Sequence, residues 1–170
     1  DEKTLLMSLS KSRECIISWL NKKVKSLEGD LKFLGVNRSV ESSLHKFKLS
    51  ISELKKVKAG DGRKVTQFKR NLMNLNTKLK TNYKIKFHML EEINILFWLY
   101  PALVLPLEIR EDSQLVKDAY GKPEMKISKM LKTLKEISTG LKPKWYVRGF
   151  VLSMTESHED IAGGIKLVKK

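Results

Sequence analysis

Side-chain chemistry needs partners at the right spacing, so the reactive residues come first. The chain has one cysteine, Cys15, and three histidines, His45, His88 and His158. No two histidines stand at i and i+4, and a single thiol can neither build a zinc cage nor close an internal disulfide. His158, beside Glu156, Glu159 and Asp160, comes nearest to an acid–base or cation cluster, but a solvated helix start is the plainer reading of that string. Nucleophilic catalysis needs a base placed next to Ser or Cys. Cys15 precedes Ile16 and Ile17 in a helical pattern and reads as a small buried side chain, with Arg13 and Glu14 leaving room for partial exposure. Ser153, in Leu152-Ser153-Met154, lacks the glycine elbow of hydrolases. Gly60-Asp61-Gly62 is a turn between helices rather than a phosphate loop, made positive by Arg63 and Lys64. The sequence predicts no enzyme, no metal site and no cofactor.

The chemistry that remains is electrostatic. Formal charge is +15, from 34 basic and 19 acidic side chains. Between His45 and Lys86, thirteen Lys and Arg residues stand against only Glu53 and Asp61, an excess of eleven positive charges in a quarter of the chain. Such a surface attracts polyanions and weakens as salt screens it. The candidate contacts are Lys46, Lys48, Lys55, Lys56, Lys58, Arg63, Lys64, Lys69 and Arg70. Lys far outnumbers Arg, so point-charge contact with phosphate is favoured over bidentate reading of bases. Only Phe47, Phe68 and Tyr83 interleave with these charges, and both Phe fall on a packing seam, which leaves base stacking poorly supplied. The expectation is a non-enzymatic helical module that docks on nucleic acid, DNA or RNA, with little sequence preference.

The alternative is a protein-interaction scaffold within a larger assembly, where the same charge meets an acidic motif or a partner helix. A contiguous exposed apolar patch away from the basic face would favour it. A third possibility, an anionic-membrane adaptor, lacks an evident amphipathic anchor with exposed aromatics. Lys22–Lys25 and Lys55–Lys58 both read Lys-Lys-Val-Lys, a weak match to nuclear import strings that any lysine-rich helix produces easily.

The elements that must position these charges follow from periodicity. Val40, Leu44, Phe47, Ile51 and Leu54 recur at alternating steps of four and three, as do Val65, Phe68, Leu72, Leu75 and Leu79. The spacing predicts a basic helical hairpin over Ser39–Lys86, one apolar stripe per arm. Ser39 is the expected N-cap, with Lys55, Lys56 and Lys58 near the first arm's C-terminal end. Upstream, Ile16, Leu20, Val24, Leu27, Leu31 and Leu34 share a helical face widened by Trp19 and Phe33. Ser10 offers a cap, Gly29 a bend and Gly35 a stop. Ile93 to Leu99 is apolar nearly all round and predicts a helix at the bundle centre. A short helix over Asp112–Tyr120, with Leu115, Val116, Ala119 and Tyr120 inward, and another over Glu124–Thr139 come next. Leu103–Leu105 is too short to weigh as a strand. Trp145–Leu152 is rich in aromatic and β-branched residues, and a strand or a buried helix fits. The want of a visible strand partner tips the expectation towards helix. A last helix starts at Ser157.

The expected fold is all-α: one helical domain over residues 1–170, a bundle of about six or seven helices, with a short strand possible near Trp145–Leu152. The start at Asp1 rather than Met leads us to expect a piece of a longer protein. The longest uncharged run, Ile93 to Leu107, is interrupted by Pro101 and Pro106 and falls short of the ~20 residues a spanning helix needs. One cysteine and no span point to a reducing, nuclear or cytoplasmic location.

Overall fold

The first helix, α1 (Glu2–Leu34), is unbroken in the computed structural model, which describes residues 1–169. The carboxylate of Asp1 caps it by accepting from the Thr4 N–H at 2.9 Å. Ser10 is therefore no cap; its hydroxyl accepts from the Val57 N–H at 3.2 Å, across the structure. Gly29 causes no break, and Gly35, at φ 62°, ends the helix with its N–H on the Leu31 and Lys32 carbonyls. The stripe from Ile16 to Leu31 is buried as its spacing requires, whereas Phe33, expected to widen it, is 93% exposed. Cys15 is exposed too, because it points off the packed stripe that Ile16 and Ile17 join.

Two cores hang on this one helix. Its C-terminal part packs with α2 (Arg38–Glu53), α3 (Asp61–Tyr83) and α4 (His88–Leu99) into a helical bundle. Phe47, Phe68 and Phe97 form its aromatic centre, with ring centroids 5.0 and 5.4 Å apart. The cap of α2 is Asn37, whose side chain accepts from the Val40 N–H at 3.1 Å, and Ser39 lies inside the first turn. That helix stops at Glu53, so Lys55, Lys56 and Lys58 sit in a connector. The connector turns away because Val57 is buried in the other core. The expected central helix, α4, lies instead at the bundle's flank. Leu90, Ile93 and Phe97 face inward, while Trp98 is 82% exposed and Ile95 and Leu99 are also solvent-facing. A short helix of that composition has an inner face to bury, and among the described residues no element covers its other side.

The second core begins with Leu5 and Leu9 of α1. It continues through β1 (Leu107–Asp112), α5 (Ser113–Ala119), α6 (Lys126–Ile137), a 3-10 turn at Pro143–Trp145, β2 (Val147–Ser153) and α7 (His158–Val168). Trp145–Leu152 is thus largely strand, not helix, and its partner is the charged Leu107–Asp112 run. The strands pair in parallel, Leu107 opposite Val147 and Asp112 opposite Ser153, with a register shift after Leu107. Parallel pairing requires a crossover, which α5 and α6 supply. Leu103, near the fleeting strand signal, is a turn residue at φ 53°. In α5, Val116 and Ala119 point inward, but Leu115 and Tyr120 are half exposed. The last helix has a capping box on Ser157 and Asp160, and its Gly164 lies against Leu152 so closely that an added Cβ would stand 2.5 Å from that side chain.

Between the cores lies a buried ionic cluster. Arg13 of α1 and Asp61, the first residue of α3, are both fully buried. The guanidinium donates to Asp61 Oδ1 and Oδ2 at 3.0 and 2.7 Å, and to the carbonyls of Leu54, Ala102 and Leu103 at 3.1, 2.7 and 2.8 Å. All five guanidinium N–H groups can thereby be satisfied. The Tyr146 hydroxyl donates to Asp61 Oδ2 at 2.7 Å. Burial pushes the Tyr146 phenol well up, and the Asp61 charge beside it adds to that, so it stays a neutral donor. Next to Asp61, Gly62 lets α3 abut the end of α6: an added Cβ would meet the Thr139 and Ser138 carbonyl oxygens at 2.6 and 2.9 Å.

Removing one partner of a buried ion pair strands the other, so Asp61→Asn should cost about 3–5 kcal/mol in urea unfolding. Tyr146→Phe should cost about 1.5–3 kcal/mol, the range for a hydrogen bond to a charged group; a loss under ~0.5 kcal/mol in both would contradict the cluster's role. Asp160 accepts from Lys117 and from the Glu156 and Ser157 N–H groups, which hold its carboxyl down, from 3.8 to about 2. A depressed folded pKa contributes stability above pH 3.8 that is lost as pH falls through about 2. Amide exchange in α7 should accelerate over that interval, and Asp160→Asn should remove the dependence.

Candidate binding groove

Helices α2 and α3 bury their seams and leave a long groove between their outer edges. The groove, of ≈ 930 Å³, takes Lys46 and Glu53 from α2 and Lys69 and Arg70 from α3 as its charged groups. Hydrogen bonds hold its amide floor. Gln67 donates to Asn71 Oδ1 at 3.0 Å, Asn71 donates to the Lys46 carbonyl at 3.2 Å, and Arg70 donates to Gln67 Oε1 at 3.4 Å. One edge of the Arg70 guanidinium is thus tied down. Lys69 Nζ lies 5.9 Å from the centroid of the Phe97 ring, a cation–π contact.

Three of the nine predicted contacts, Lys46, Lys69 and Arg70, therefore share one concave surface. The others are dispersed. Lys48 turns towards α1 and is paired with Glu28 at 2.7 Å. Lys55 lies with Lys25 and Lys48 in the α1–α2 cleft. Lys56 sits by the start of α1 with Lys126 and Lys129. Lys58 is exposed in the connector, and its carbonyl receives the Asp61 N–H. Arg63 packs against Gly140, whose added Cβ would meet its side chain at 3.1 Å, and Lys64 is half-buried in the first turn of α3. The nine predicted contacts thus line different clefts, with Lys46, Lys69 and Arg70 in the α2–α3 groove.

Two groove residues were not among the predicted contacts. Leu49 is 50% exposed and Met73 59% exposed, and both line the groove beside the cations. A signal for them existed, since each is an apolar residue standing off its helix's stripe. A separate apolar face is formed on α4 by Ile95, Trp98 and Leu99, whose i, i+3, i+4 spacing puts them together.

The reactive side chains remain apart. His45 is exposed, His88 Nδ1 lies 3.7 Å from Glu92, and His158 Nε2 lies 3.9 Å from Glu159. Among the described residues, no three His, Cys, Asp or Glu side chains gather where they could hold a metal ion. Among the same residues, no helix is long and apolar enough to cross a membrane. No protein-family model matches the chain, and no curated protein or solved structure is significantly similar to it.

Proposed function

We propose that this protein is a non-enzymatic binding module whose α2–α3 groove receives an acidic, amphipathic segment of a partner protein. The observation that carries this reading is the mixture inside the groove: exposed Leu49 and Met73 line it together with Lys46, Lys69 and Arg70, against the single acidic Glu53. A helix or strand with apolar residues on one edge and Asp or Glu on its flanks satisfies both kinds of group at once. A phosphate backbone satisfies only the cations and leaves two large apolar side chains facing water. Methionine suits such a surface, because its flexible thioether adapts to different partners. The apolar face of α4 is the kind of second contact that a scaffold offers.

Nucleic acid remains the second reading, favoured by the eleven excess positive charges of the His45–Lys86 stretch. The two part company over salt and over the apolar residues. In fluorescence anisotropy, an acidic amphipathic peptide should bind with an affinity that falls with salt and then levels off, the residue being apolar contact. Lys46→Glu with Lys69→Glu and Arg70→Glu should weaken it about tenfold or more, at roughly 0.2–1 kcal/mol or somewhat above per contact. Lys48→Glu should change little, because Glu28 already meets that charge. Met73→Asp should weaken the peptide but leave a duplex unaffected. Tighter binding of the duplex, indifferent to Leu49 and Met73, would overturn the protein-partner reading in favour of nucleic acid.

A further inference from the structure

A second concave site lies in the other core, far in sequence from the basic hairpin. The turn after α5, the outer face of α6, Pro143 and the end of α7 enclose a cleft of ≈ 560 Å³. Its walls are aliphatic: Leu131 and Leu134 from α6, and Leu167 and Val168 from α7. Lys122, Lys132 and Lys169 stand around them, and among the described residues lining the cleft none is acidic. The volume falls within the roughly 300–1,000 Å³ of small-molecule sites, which likewise join apolar walls to a few polar groups.

The lining narrows the class of ligand. Three lysines around an apolar trough, Lys122, Lys132 and Lys169, are complementary to an anionic head on an apolar body. Among the described lining residues there is no aromatic ring on which a base or a flat ring system would stack. Branched aliphatic walls instead conform to a flexible chain. Lysines offer mobile point charges rather than the bidentate fork of arginine, which suits a terminal carboxylate or phosphate. We infer that this cleft binds a single-chain anionic lipid, with the acyl chain against Leu131, Leu134, Leu167 and Val168 and the head among the lysines. The site shares no residue with the α2–α3 groove and stands independently of the function proposed for it.

The test is calorimetric titration of the full chain with oleate and with oleoyl lysophosphatidate, both below their micelle concentrations. Oleyl alcohol and inorganic phosphate serve as the uncharged-head and chainless probes. Both anionic lipids should bind saturably at one site, with oleyl alcohol and phosphate each much weaker. Lys122→Glu with Lys132→Glu, both at exposed positions, should weaken the lipids about five-fold or more. Val168→Asp, at the open side of the wall, should weaken them comparably, while Lys46→Glu with Lys69→Glu should leave them unchanged. Absence of saturable binding, equal affinity for the double variant, or phosphate binding as tightly as the lipids would overturn the assignment.

Discussion

The Arg13 guanidinium is the point on which the rest of the molecule turns. Its donors reach Asp61 at the start of α3, the end of α2 at Leu54, and the Ala102 and Leu103 carbonyls beyond α4. Through Asp61 the same cluster reaches Tyr146, just before β2. A buried ion pair contributes little net stability over a well-packed apolar substitute, because desolvating both charges costs about as much as their attraction returns. What it adds here is direction. Each donor fixes one carbonyl or carboxylate, so chain segments from both cores are held in one register. The left-handed Leu103 illustrates this: a backbone conformation costing of order 1–3 kcal/mol is offset where its carbonyl takes the Arg13 Nε–H at 2.8 Å.

That register also decides where the positive charge goes. Because α2 ends at Glu53, the lysines of the connector lie apart from those on the hairpin arms. Because α1 runs beside α2, Glu28 meets Lys48. In the +15 chain, lysines line clefts of different character. One contains exposed apolar side chains between two long helices; another is an aliphatic cleft beside a short parallel sheet. Charge alone attracts any polyanion, and it is the neighbouring apolar groups that discriminate among them.

Much of the bundle was legible in the sequence, because its seams repeat at the helical period and each seam needs only local information. Gly35 and the Ser157 start were legible for the same reason. The sheet was not. Leu107–Asp112 is mostly charged, its apolar–polar alternation spans only Leu107 to Arg110, and its partner lies about forty residues away in sequence. The Trp145–Leu152 run therefore lacked a visible partner and leaned towards helix. Asp61 read as turn chemistry because its cation, Arg13, is 48 positions away. The flank position of α4 was hidden for a further reason: an apolar composition does not say whether every face has a neighbour. Lysine facing was illegible too, since the side a surface residue occupies depends on which helix packs alongside. Leu49 and Met73 were the exception, readable as apolar residues off the stripe.

The central claim is that the α2–α3 groove, with its apolar side chains, is the docking surface for an acidic protein segment. Amide and methyl chemical-shift mapping during titration with an acidic amphipathic peptide tests it most directly. The account predicts shifts centred on Lys46, Leu49, Lys69, Arg70 and the Met73 methyl, with Lys48 and Lys55 little moved. Shifts centred on the connector or on α1, with the Leu49 and Met73 methyls unmoved, would contradict it.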